Sequence, residues 1–282
     1  MKKLLSAIPI LSLALVAAAQ EDREWAKTYN VTGEPVVVLR SNDAHVRVSS
    51  SAQPGVSARL VVKGLSRGDY DVKEQQLGDR VEIELRLLPT AGHFDWGNRS
   101  LGLEVTMPSR GSLEVHTGDG HVRVEGVGGS VRLHTGDGHL EARNLGGILD
   151  LETNDGHINV DQVSGSLRAR TGDGHITVRG RFDDLNLETG DGHVTAQIED
   201  GSIVSQSWSL RSGDGGIQLE LPRSFAAELD ASTGDGAVRV QLAEAGNMKT
   251  DRDRSHVFAR LGAGGKPLTL RTGDGKITLT QR

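Results

Sequence analysis

The stretch TGDGHVRVEGVGGSVRLHTGDGHL, residues 117–140, decides how this chain is read. It holds one Thr-Gly-Asp-Gly-His motif at Thr117 and a second at Thr135, 18 residues later. Further copies open at Thr153, Thr171 and Thr189 at the same interval. Variants open at Ser212, Thr233 and Thr272, and a degenerate copy, SNDAHV, opens at Ser41. An internal period of this kind marks a repeat architecture, in which each copy buries its apolar face against its neighbours.

Working outward from each opener, apolar residues fall at a period of two. Leu113 and Val115 precede Thr117, and Val122 and Val124 follow it; Val131, Leu133, Leu140 and Ala142 stand in the same places around Thr135. That is the pattern of strands with one buried face. Each repeat therefore reads as strand, tight Gly-rich turn, strand, and a second corner such as Gly128 and Gly129. Glycine is expected at such corners because it reaches positive φ without a Cβ clash.

A meander of antiparallel hairpins and a stack of parallel coils both fit this string. Charge order separates them. Three residues before the openers stand Glu114, Arg132, Asp150 and Arg168; one residue before the later ones stand Glu152, Arg170, Glu188 and Arg211. The signs alternate from copy to copy. Alternation helps most if equivalent positions are direct neighbours, about 4.8 Å apart. The expectation is an all-β parallel β-solenoid (β-helix) of about 18-residue coils with a less regular N-terminal β region. A β-propeller does not fit, because its repeats are about 40–45 residues long. In domain terms the expectation is a signal peptide at 1–19, N-terminal β-coils or a cap continuous with the solenoid at 20–111, and the repeat domain at 112–282, with insertions after 195 and 240. Residues 89–99 read as a loop. The last strand, in GKITLTQR, reads as a possible open edge guarded by Lys276 and Arg282.

The N-terminus, MKKLLSAIPILSLALVAAAQ, has two lysines, a short apolar stretch and a small-residue run ending at Ala19. This is the layout of a secretory signal peptide. It implies export to the periplasm, the cell envelope or the exterior, with no membrane span in the mature chain. No cysteine is present among the 282 residues, so neither disulfides nor thiolate chemistry arise. The net charge is −6, without a dense basic patch, and aromatic residues are few, which argues against a nucleic-acid partner.

The opening SNDAHVRV, the tandem TGDGHI copies, the segment ELDASTGDGAVRV and the ending HVFARLGAGGKPLTLRTGDGKITL resemble the bacterial "putative adhesin" domain of unknown function (4097), whose members carry β-strand repeats. The resemblance covers most of the mature chain. It implies an exported or envelope-facing β-helical protein and no catalytic residues.

Two columns are the candidate site. Asp119, Asp137, Asp155, Asp173 and Asp191 either accept backbone N–H bonds within their own turns or line up as a cation ladder. His121, His139, His157, His175 and His193 stand outward beside buried residues and do not alternate. They read as a stack of neutral rings, as a strip for Zn²⁺ or Cu²⁺, or as a pH-responsive surface. Ca²⁺ is the corresponding candidate for the aspartates, although one acid per coil falls short of calcium's six to eight oxygens. No cofactor is expected otherwise. Asp183 and Asp184 are paired carboxylates but read as a corner. An active site is usually one unrepeated constellation, and here the acids and histidines are repeated. The functional expectation is an exported, non-enzymatic adhesin or envelope scaffold whose partner is a protein, a glycan or an envelope surface. Alternatives are a metal- or pH-responsive envelope protein and a carbohydrate-active β-helix enzyme.

Overall fold

The computed structural model describes residues 25–89, 99–242 and 248–282. The signal-peptide reading of 1–19 and nearly all of the loop expected at 89–99 lie outside these residues. The described chain is all-β apart from one short 3₁₀ turn, and its 23 strands belong to one sheet. Among the described residues no helix is long and apolar enough to cross a membrane.

The period-two pattern is the cause of the strands. In Arg110–Thr117, Leu113, Val115 and Thr117 are buried while Ser112, Glu114 and His116 are half-exposed. The inward residues of the copies join one core cluster, in which Trp208, Phe182 and Phe225 are the largest fully buried side chains. Between the copies opening at Thr117 and Thr189 the pairing is parallel and in register. Gly128–Thr135 lies between Arg110–Thr117 and Gly146–Thr153, so Leu133 sits against both Val115 and Leu151. The strands Ile158–Thr171 and Ile176–Thr189 run on through the second corner, with register shifts beside Val163 and Gly165.

The expected uniform β-solenoid is nevertheless not the fold. The sheet is mixed, its strands are not stacked in chain order, and it rolls around one core as a nearly closed barrel. β-Helix is likewise the wrong description of the whole. At the N-terminal end, Val36–Ser41 pairs directly with Arg110–Thr117, placing Val37 on Leu113. His45–Ser51 pairs with both Val122–Glu125 and Ser100–Pro108. The intervening chain folds back in antiparallel fashion. Val56–Lys63 lies on Ser100–Pro108, Ala26–Tyr29 lies on Val56–Lys63, and Tyr70–Leu77 forms a hairpin with Arg80–Leu87.

The C-terminal end is reordered as well. Trp208–Ser212 pairs with Pro267–Thr272, and Ala227–Thr233 lies beyond that strand. Ala227–Thr233 is then covered by antiparallel His256–Leu261, which carries Met248–Thr250. The last strand, Ile277–Gln281, is no open edge: it lies between Ile217–Leu221 and Val238–Gln241. The physical reason is that a parallel stack ends in unpaired N–H and C=O groups. The irregular segments cover those ends with antiparallel strands, and copies with the same apolar pattern can exchange places without changing the core.

Candidate functional site

The motif builds a corner, and its threonine holds it together. Thr135 is fully buried, and its Oγ1 lies 2.9 Å from the Gly118 carbonyl oxygen and 3.1 Å from that of Gly120. Thr153 repeats this toward Gly136 and Gly138, and its oxygen also accepts the Gly156 N–H at 3.1 Å. The hydroxyl thus satisfies turn groups of two successive copies. Sequence reasoning missed this role; the signal was that only Thr or Ser opens the motif.

The second glycine of the motif answers to close approach rather than to unusual φ. A Cβ at Gly156 would overlap the Gly138 carbonyl oxygen of the copy below. Positive φ is the requirement at the other corner, where Gly129 and Gly147 have φ of 116° and 110°.

The aspartates of the motif do not cap the turn. Asp119, Asp137, Asp155, Asp173 and Asp191 are exposed, and among the described residues their carboxylates make no hydrogen bond or ion pair. The row extends to Asp43 in the degenerate copy. There, burial first and the Asp119 charge second raise the carboxyl above its usual value.

The histidines form a continuous stack. His45, His121, His139, His157, His175 and His193 lie ring over ring, with centroids 4.8–5.2 Å apart and planes within 17° of parallel. Each Nδ1 accepts the backbone N–H of the next histidine in the stack: His139 N to His121 Nδ1 is 3.0 Å and His175 N to His157 Nδ1 is 2.9 Å. The last ring, His193, accepts from Gly216 at 2.7 Å. A ring nitrogen that accepts carries no proton, so the neutral ring carries its proton on Nε2. Burial, and secondarily the neighbouring rings, hold His121 and His175 below the usual histidine value.

Among the described residues, no group of three or more histidine, aspartate or glutamate side chains is gathered as a metal ion would need. The Nδ1 lone pairs face backbone donors, and neighbouring rings are parallel rather than convergent. The alternating charges meet as neighbours, with Arg132–Asp150 at 3.7 Å, Arg123–Glu141 at 3.1 Å and Arg170–Glu188 at 3.1 Å.

A family model matches residues 37–280, nearly the whole described span. The chain belongs to the Toastrack DUF4097 family. Solved structures similar to this Toastrack chain include a "putative cell adhesion protein" from Clostridium sporogenes, with 12% identity over 92% of this chain and 99% of that one, at a TM-score of 0.26. A "putative adhesin" from Bacteroides fragilis shows 7% identity over 93% and 98%, also at 0.26. Likeness at this level does not define a shared function. The curated proteins contain no match.

Elsewhere on this Toastrack chain, Asp183 serves the corner through its backbone, its carbonyl oxygen accepting from Trp208 Nε1 at 3.2 Å. At the His45 end, the ring stack opens into a shallow groove of about 350 Å³ lined by His45, His121, Arg47, Arg123, Val61 and Glu104, among others.

Proposed function

We propose that this Toastrack protein is an exported, non-enzymatic binding module of the bacterial envelope, acting in adhesion or as a scaffold through its histidine–aspartate corner. The observation that carries this reading is the corner itself. Two rows of polar side chains are repeated and exposed on turns of fixed spacing, the rings held by their Nδ1 bonds, and the outer atoms of both rows have no partner within the described chain. Repetition suits a ligand or surface that is itself extended, whereas catalysis calls for one constellation made once. The leader-like residues 1–19 support export.

The reading is tested by expressing the full chain, sequencing the N-terminus of the mature protein, and measuring its retention by isolated envelope fractions. Processing after Ala19 and saturable retention are the expected results. An unprocessed cytosolic product, or retention no greater than that of an unrelated β-protein, would sink it.

A further inference from the structure

The two rows of the corner are chemically complementary, and together they define the class of ligand. On one side runs a row of Nε2–H donors, fixed as donors because every Nδ1 in the stack accepts a backbone N–H. Beside it runs a row of carboxylates, which at neutral pH only accept. Both advance by one strand spacing per copy, and the rings set the step at 4.8–5.2 Å. We infer that this corner binds a linear, uncharged glycan laid along the rows, one sugar to each Asp/His step.

Four physical points lead there. A hydroxyl both donates and accepts, so the hydroxyls of a sugar chain can serve the carboxylate row and the Nε2–H row alike. An extended chain of equatorially linked hexopyranoses advances by close to one ring pitch per sugar and presents like faces at every second sugar, so it stays in step with the rows. An extended peptide does not, since its same-face groups recur about every 6.6 Å and fall out of register within two steps. A polyanion would be repelled by the carboxylate row, and a polycation would leave the row of Nε2–H donors without acceptors.

The mounting favours such a ligand as well. Thr153, Thr171 and Thr189 hold the turns and Nδ1 bonds hold the rings, so the histidines lose little side-chain freedom on binding. The groove at the His45 end continues the row. Val61, 37% exposed in its wall, supplies an apolar surface for the C–H face of a terminal sugar.

This inference rests on the binding-module reading above and sharpens it. The test is calorimetric titration of the mature protein with neutral β-1,4- and β-1,3-linked glucose oligomers from dimer to hexamer, alongside hexagalacturonate and hexalysine. The neutral oligomers are expected to bind with affinity rising at least about tenfold from dimer to hexamer, with little dependence on salt. The double variant Asp137→Ala/Asp155→Ala should lose about tenfold or more for the hexamer while its melting curve stays unchanged, because those carboxylates hold nothing in the fold. Binding of hexalysine or hexagalacturonate alone overturns the inference, as does neutral binding without length dependence or undiminished in the double variant. Absence of hexaose binding with undiminished envelope retention overturns the glycan inference and leaves the binding module standing; loss of retention as well removes both.

Discussion

At the scale of single residues, the motif divides into parts that hold the turn and parts that face outward. Thr153 is buried and its hydroxyl bonds the Gly138 carbonyl and the Gly156 N–H, so Thr153→Val leaves those two groups unsatisfied in an apolar setting, while the Gly136 carbonyl keeps the Asn154 N–H. The expected loss is about 1–3 kcal/mol, measured by urea unfolding. Gly156→Ala should cost more, about 4 kcal/mol or above. Its new methyl meets backbone of the copy below, and a backbone cannot swing aside as a side-chain end can. Asp155→Ala should stay within about 0.5 kcal/mol, since no described group depends on that carboxylate. A loss at Asp155 equal to that at Thr153 would return the turn-capping role to the aspartate.

At the scale of the element, the histidine stack is a unit in which every Nδ1 is an acceptor. Protonation at Nδ1 replaces an acceptor by a donor opposite a backbone N–H, and stacked imidazolium ions repel. Since burial and neighbouring rings lower the folded values of His121 and His175, the unfolded chain binds more protons than the folded one in that range. Stability from these two groups is therefore complete above the unfolded histidine value of about 6.5 and is lost as pH falls below it, through their lower folded values. Thermal midpoints should be level above about pH 7 and decline toward pH 5. The double variant His121→Asn/His175→Asn removes the two groups with lowered values and should flatten this decline. An equal slope in the variant would show that other groups produce it.

At the scale of the whole molecule, the order of strands in space makes a further prediction. Ile277–Gln281 is last in the chain yet interior to the sheet, with a paired strand on each side. Its amides should exchange with deuterium as slowly as those of the central strand Leu140–Arg143, while the outer strand Met248–Thr250 exchanges fast. Truncation after Lys266 should unfold the neighbouring copies at Trp208–Ser212 and Ala227–Thr233, which depend on the missing strands for pairing. Fast exchange at Ile277–Gln281 would restore a stack in simple chain order.

The sequence alone determined that the chain is built of β-strands, which residues of each copy turn inward, and which stand in the outward columns. Those properties are local: a period of two assigns Leu133 and Leu140 to the core and His139 to the surface whatever lies beyond them. Alternating charges at Arg132, Asp150 and Arg168 also disclosed that equivalent positions are neighbours, because charge pairing acts at the distance of one strand. Tertiary structure decided the rest. It set the copy of Ser41 directly on that of Thr117, put the last copy between two earlier ones, and closed both ends with antiparallel strands. Copies with the same inward pattern are interchangeable to a hydrophobic core, which measures buried area and shape and not chain order. The donor and acceptor roles at the corner were hidden for a related reason. Asp, Thr and His are all able to bond a turn, and only the close approach of one copy to the next placed the threonine inside and left the aspartate and the Nε2 edge of the histidine facing out.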